Sequence, residues 1–530
     1  MKILNTNIKT LNITISVILL LLTVLIFQYF GIINCIKFED IAEPFIIPST
    51  LQEMYTGANH GCFVSTVFHQ FLLFVLPKML NIHPDDFYFI YIFQGFIYWL
   101  IPFLLARLAV SYSDEKHFLF FYAISNFLFF SIFFNLGYLF QEYTFIYTRF
   151  IRYVFPMIFF VLFWTMFSDF YVLGKYRNWR IYLAAFLTGI SVEPLNITTF
   201  VALLLITVLS SFHKKISNNV LSTRYLAIVT SFCAGLVLFY ASPSFWHIAN
   251  ERGINRSLGN FHELLTNIKI FHASYFEHVL KENTYYLIFI AVLFVIILRF
   301  CFKRNNQKSI KVVIVSVGLL IGILFFNYIL FLSGKTFYDG VSFWIVSLDL
   351  KADTIFVLVM IIVLFLSYIF GMFGKKNKIA FAILIAGFVI CGYPLLYKIN
   401  LPDILYDRAS RYETKQLMYK AEKIYRFYDL KHNKSAYLPL SAISNKCLFF
   451  SFNRNQEKDL DKAVGKAKFP SEYYYGIYGV PEEKMIKVRF IEDAKAYKYF
   501  YEAGGIFTKE ELSNLKFTRL LDKDFVLGKK

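Results

Sequence analysis

Three carboxylates, Glu39, Asp40 and Glu43, fall within five positions in the stretch NCIKFEDIAEPF at 34–45, directly after the first long apolar run of the chain. A carboxylate within hydrogen-bond reach of a hydroxyl can take its proton and turn it into a nucleophile. Clustered carboxylates can also hold a divalent cation. Acids at a membrane face can equally be solvated among headgroups, so their weight depends on what the rest of the chain brings beside them. Glu39 and Asp40 are the candidate catalytic bases, and Glu43 is a candidate loop-positioning or cation-holding group.

Basic and aromatic residues supply the complementary chemistry. YTRFIRYVFP at 147–156 sets Arg149 and Arg152 three apart, on one face of a helix start. Guanidinium forks match phosphate oxygens bidentately, so such a pair suits a lipid-linked phosphate or diphosphate as well as it suits snorkelling to anionic lipid. SPSFWHIANERGINRSLG at 242–259 puts Arg252 and Arg256 four apart, beside Trp246 and His247. Aromatics next to cations can stack on a sugar and contact its phosphate, or form an ordinary interfacial belt. Glu193 interrupts the apolar LTGISVEPLNITTF, where a carboxylate is expensive and marks either a cavity or a structural partner. Pro194 after it disfavours helix at Glu193. There is no Walker loop, dinucleotide fingerprint, G-x-S-x-G or H-E-x-x-H, so soluble-nucleotide chemistry has no visible site.

These groups need a scaffold, and composition defines it. The 530 residues are 57% hydrophobic and 20% aromatic but only 17% charged, well under the ~25% charged of a soluble domain. Apolar runs near 13–33, 62–80, 87–110, 118–140, 153–173, 180–210, 224–241, 284–302, 310–333, 353–373 and 379–397 approach the ~20 residues a bilayer crossing needs. The run at 180–210 is too long for one crossing and is broken by SVEPLN, as a hairpin of two half-helices or one broken helix would be. The expected fold is an all-α polytopic membrane bundle of 11 to 13 spans over 1–397. Lys2 and Lys9 precede a first run that is too long for a signal h-region, which predicts an uncleaved first helix starting in the cytoplasm.

The net charge of +18 sits largely in short basic connections, 174–180, 213–224, 303–311 and 374–378, which the positive-inside tendency places in the cytoplasm. Basic loops beside anionic lipid explain this excess, and nucleic acid is not an expected partner. Alternation then puts 242–283, 334–352 and everything after 397 outside, together with 35–61 and 141–152. An outward first loop and an outward 141–152 are separated by three runs, which leaves the parity open; 62–80, with His69 and Pro77, is the run whose crossing is in question. The last 133 residues carry 26 Lys and Arg against 18 Asp and Glu, with no run long enough to span. Helical patterning over 409–430 and strand-like alternation in AYLPLSAI, CLFFSF and MIKVRFIE predict a small extracytoplasmic α+β domain over 398–530. Cys35 and Cys62 flank the first outer loop, as a bridge or as two free thiols.

Taken together, FEDIAEP in the first outer loop, RFIRYVFP at a helix start, the mid-bundle SVEP, the SPS…ERGINR loop and the final domain resemble the GT-C type of polytopic glycosyltransferase, particularly its bacterial members. The resemblance spans the chain in architecture and rests on short motifs. It implies a sugar donor carried on polyprenyl phosphate, a first-loop acid as base, and inversion at the anomeric carbon. It also implies work at the outer face of a bacterial cytoplasmic membrane on a cell-surface glycan, glycolipid or protein. On that reading Arg149, Arg152, Glu193, Trp246, His247, Arg252 and Arg256 bind the donor. The rivals are a transporter or flippase of lipid-linked saccharide, which needs charged groups along a crossing path, and a polysaccharide polymerase.

Overall fold

The computed structural model of the chain describes residues 2–33, 67–68, 71–80, 89–112, 117–135, 150–174, 179–212, 222–243, 275–281, 283–304, 307–337, 341–373, 435–439 and 487–491. Helix dominates them. In order they are α1 (Lys2–Ile33), a π turn Phe71–Val75 running into α2 (Leu76–Leu80), α3 (Phe89–Tyr112) and α4 (Phe118–Asn135). A π turn Phe150–Val154 then leads into α5 (Pro156–Tyr171), followed by α6 (Arg180–Gly189), α7 (Glu193–Ser211) and α8 (Thr223–Ala241). After a π turn Phe276–Lys281 come α9 (Thr284–Arg304), α10 (Gln307–Phe337) and α11 (Val341–Phe373). Five of these helices carry a stretch long and apolar enough to cross a membrane, at Tyr91–Tyr112, Glu193–Ser211, Thr223–Ala241, Ile310–Ile329 and Ala352–Gly371.

Side-chain contacts fix how the helices alternate. Tyr171 at the end of α5 shares a hydrogen bond with Ser210 at the end of α7, and Tyr225 at the start of α8 shares one with Thr207. The Lys311 ammonium near the start of α10 stands 5.2 Å over the Tyr171 ring. Tyr112, closing α3, packs edge-on against Tyr368 late in α11, and His117 before α4 packs on Phe370. The helix ends bordering 113–116, 175–178, 213–221 and 305–306 therefore share one end of the bundle with the close of α11. This is the end that carries the basic connections, called here the basic end.

At the far end, Thr188 Oγ1 of α6 donates to the Phe159 carbonyl of α5 at 3.0 Å, Asn327 of α10 bonds Thr354 of α11, and Phe129 of α4 meets Phe356 of α11. Phe93 near the start of α3 touches Phe150 and Phe155.

α11 is the central helix. Every residue from Ile355 to Leu366 is at most 4% exposed, and a helix that is apolar all round has to be wrapped by others. α1 lies on the outside, held to α3 where Trp99 Nε1 donates to the Ser16 carbonyl at 3.0 Å. Exposed Leu11, Ile13, Val17, Leu21 and Leu25 on α1, with Val237 on α8 and Val292 and Val295 on α9, are the surface that lipid tails would cover.

Several expectations are sharpened or corrected. Of the run 62–80, the described part is 67–68 and the ten residues Phe71–Leu80, about 15 Å of helix; the rest lies outside the described residues. Phe68 packs on Phe155 at 4.8 Å, so this segment sits beside the start of α5 at the far end. The region 334–352 is not a long loop: α10 continues to Phe337 and α11 begins at Val341. VSFWIVSL at 341–348 has the apolar character to carry α11 outward by more than two turns. Residues 379–397 lie outside the described residues. In the expected C-terminal domain, Ser435–Pro439 and Lys487–Ile491 pair as two parallel strands that overlap two of the three segments read as strand-like. The remainder of 398–530, CLFFSF included, lies outside the described residues, and one strand pair does not make an α+β domain.

Candidate polar site at the far end of the bundle

The break in 180–210 is a reversal of direction. α6 climbs from the basic end for ten residues and α7 returns for nineteen, so the pair is a hairpin with one half-length arm and one full-length arm. It is neither two half-helices nor one broken rod. Three local features close its tip. Asn196 Nδ2 donates to the Gly189 carbonyl at 3.3 Å, Ser191 Oγ donates to the Thr188 carbonyl at 2.8 Å, and Val192 is extended at φ −124°. The two bonds satisfy carbonyls that the end of α6 would leave orphaned away from water.

Glycine sets where the tip stands. A Cβ on Gly189 would collide with the Phe232 carbonyl of α8, and a Cβ on Gly235 of α8 would collide with the Phe186 carbonyl of α6. The two helices thus cross backbone against backbone. On the other arm, Gly318 and Gly322 of α10 form a G-L-L-I-G that faces Ala202 and Thr198 of α7. Small residues four apart allow this close approach where lipid gives helices no hydrophobic reason to associate.

That second contact is also a ruler. Glu193 lies five residues from Thr198, and Asn327 lies five residues from Gly322, both toward the far end. They stand at one height, about 7.5 Å beyond the glycine contact at ~1.5 Å per residue. At that height Asn327 Nδ2 donates to Thr354 Oγ1 at 2.9 Å and to the Ile323 carbonyl at 2.8 Å. The neighbouring Asp353 is wholly buried, a position where a carboxylate requires polar company. One and nearly two turns below Glu193, the Asn196 Oδ1 and Thr199 Oγ1 atoms are buried without a hydrogen-bond partner among the described residues. On the outer flank of α10, Tyr275 donates its hydroxyl to the Leu324 carbonyl at 3.1 Å, and burial pushes this phenol up to about 12, so it remains a donor.

Glu193 itself is half-buried and is the first residue of α7, with Pro194 second. The helix begins one residue earlier than the Pro194 restriction suggests, because Val192 takes the extended conformation instead. An acid in the first turn also faces the positive end of the helix dipole. Of the other sequence candidates, Arg152 belongs to the π turn Phe150–Val154, but its side chain lies outside the described residues. So do Glu39, Asp40, Glu43, Arg149, Trp246, His247, Arg252 and Arg256, as well as Cys35 and Cys62. Among the described residues, no three His, Cys, Asp or Glu side chains gather to hold a metal ion.

Sequence reasoning passed over Asp353, Asn327, Asn196 and Lys311. Asp353 and Lys311 sat at the edges of apolar runs and read as loop boundaries. The signal that could have found Asn327 and Asp353 is a polar residue inside an apolar run long enough to cross a membrane.

These features define the class: a multi-pass helical membrane protein whose far end holds a layer of buried polar side chains over an apolar centre. Comparison with protein families, with curated proteins and with solved structures gives no match, so any narrower reading rests on the chain itself.

Proposed function

We propose that the chain is a membrane glycosyltransferase that moves a sugar from a polyprenyl-phosphate-linked donor to a cell-surface glycan, glycolipid or protein at the outer face of a bacterial cytoplasmic membrane. The observation that carries the reading is one-sidedness. Glu193, Asn327, Thr354 and Asp353 share the end of the bundle opposite the basic connections. The positive-inside tendency makes that the outer end.

In the proposed reaction, Glu39 or Asp40 takes the proton of an acceptor hydroxyl as its oxygen attacks the anomeric carbon. The bond from that carbon to the phosphate oxygen breaks, and the configuration inverts. Polyprenyl phosphate leaves, its growing charge met by Arg149, Arg152, Arg252 and Arg256, with Trp246 and His247 against the sugar. Glu193 supports the donor from the hairpin tip, and Glu43 positions the loop or a divalent cation.

One observation favours the flippase rival: Asp353 is a buried carboxylate within a spanning helix. Against it, α11 presents only apolar side chains from Ile355 to Leu366, a poor lining for a saccharide path. The test is full-length protein in nanodiscs given a polyprenyl-phosphate sugar. Transfer that survives in wild type but falls about 10²–10⁴-fold in Glu39→Gln or Asp40→Asn supports the base assignment. Normal transfer in both variants removes it. Wild-type protein in vesicles that moves the donor between leaflets without sugar transfer establishes the flippase.

A further inference from the structure

At the opposite end of the bundle, Lys311 is only 7% exposed, and its ammonium lies 5.2 Å over the Tyr171 ring. Among the described residues no carboxylate pairs with it. The polar groups joined to Tyr171 are neutral: it shares one hydrogen bond with Ser210, while Tyr225 shares one with Thr207 and donates to the Leu203 carbonyl. A buried ammonium without an anion gives up hydration that a single aromatic face does not fully return. The charge balance at this site is therefore incomplete among the described residues.

The bilayer can complete it. Lys311 stands in the second turn of α10, at the depth where a spanning helix meets lipid headgroups, and at the end of the bundle carrying the basic connections. A lysine there accepts phosphate as a compact point charge, and its flexible four-carbon stem lets the ammonium leave the Tyr171 ring for the headgroup level, while Tyr171 and Ser210 themselves stay wholly buried. We propose that Lys311, at the start of α10 beside the Tyr171 ring, holds the phosphate group of an anionic phospholipid from the leaflet on the basic side. This site is separate from the far-end polar layer and does not depend on the glycosyltransferase reading.

The experiment is native mass spectrometry of the full chain released from nanodiscs of phosphatidylglycerol or of phosphatidylcholine. Wild type is expected to retain one phosphatidylglycerol preferentially. Lys311→Met is expected to weaken that retention about tenfold, the loss of one charge-assisted contact, and Lys311→Arg to restore part of it. Lys308→Met removes an exposed lysine of the same helix and should leave retention unchanged. Equal loss in Lys308→Met and Lys311→Met would mean general surface attraction and overturn the site. Equal retention of both lipids by wild type would overturn it even if no variant folds. Displacement of the bound lipid by millimolar inorganic phosphate would show a free-anion site and overturn the lipid assignment.

Discussion

Gly322 of α10 lies directly on the backbone of Thr198 in α7, so close that a Cβ there would stand 2.5 Å from the Thr198 carbonyl oxygen. One helical turn away, Gly318 faces Ala202, where a Cβ would be 3.2 Å from the carbonyl oxygen. The two contacts differ in how much room they leave, which sets up a graded outcome. Gly318→Ala should be tolerated. Gly322→Leu, which drives a large side chain into rigid backbone, should cost at least the ~1–3 kcal/mol typical of overpacking. Thermal unfolding in detergent followed by size-exclusion recovery measures both. Equal melting of the two variants would dismiss the close-packed seam.

The α6–α8 crossing makes a parallel claim about the hairpin. Gly235→Val forces Phe186 and α6 away from α8, and with them the tip that carries Glu193. The expected result is a lower melting temperature together with new protease cleavage near 190–192. Wild-type cleavage in a destabilised variant would place the damage elsewhere.

Asn327 and Thr354 join α10 to the central helix at the far end by one buried hydrogen bond. A double-mutant cycle of Asn327→Leu and Thr354→Val should return a coupling of about 0.6 kcal/mol and not above ~1.7 kcal/mol, the range for polar pairs inside membrane bundles. A coupling indistinguishable from zero would mean that the pair is an accident of packing.

Tyr275 offers a pH test. Its phenol is pushed up from 10.0 to about 12 by burial, with Tyr328 adding to the shift, so the folded protein holds this proton more tightly than the unfolded chain does. The stabilisation is complete below the ordinary phenol value and is lost as pH rises from there toward about 12. Wild type should therefore be more stable than Tyr275→Phe near neutral pH, with the gap closing across that window. A gap that stays constant throughout it would contradict the assignment.

Sidedness can be read by cysteine labelling in a cysteine-free background. Cysteine in place of Ser244, in the connection that follows α8, should react with an impermeant maleimide in intact cells. Cysteine in place of Lys214 or Lys375 should react only after permeabilisation. The reverse pattern would invert the proposed orientation and move the far-end polar layer to the cytoplasm.

Much of this architecture was written in one dimension. Phe89–Tyr112, Thr223–Ala241 and Thr284–Arg304 follow the apolar runs within a few residues, because a segment that must satisfy its own backbone in hydrocarbon has only the helix available. The basic connections predicted their common end for the same local reason: charge beside an apolar run is legible without knowing what the run touches. What composition cannot carry is contact. That Glu193 stands level with Asn327, far along the chain, follows from two glycines in α10 meeting Thr198 and Ala202 in α7. That Asp353 and Lys311 are buried, and not loop residues at the edges of runs, depends on α11 being enclosed on every side and on the start of α10 reaching the Tyr171 ring of α5. Hydropathy measures the preference of each residue for lipid or water, whereas the polar layer at the far end and the lysine at the basic end are defined by helices packing against one another, which only the tertiary structure decides.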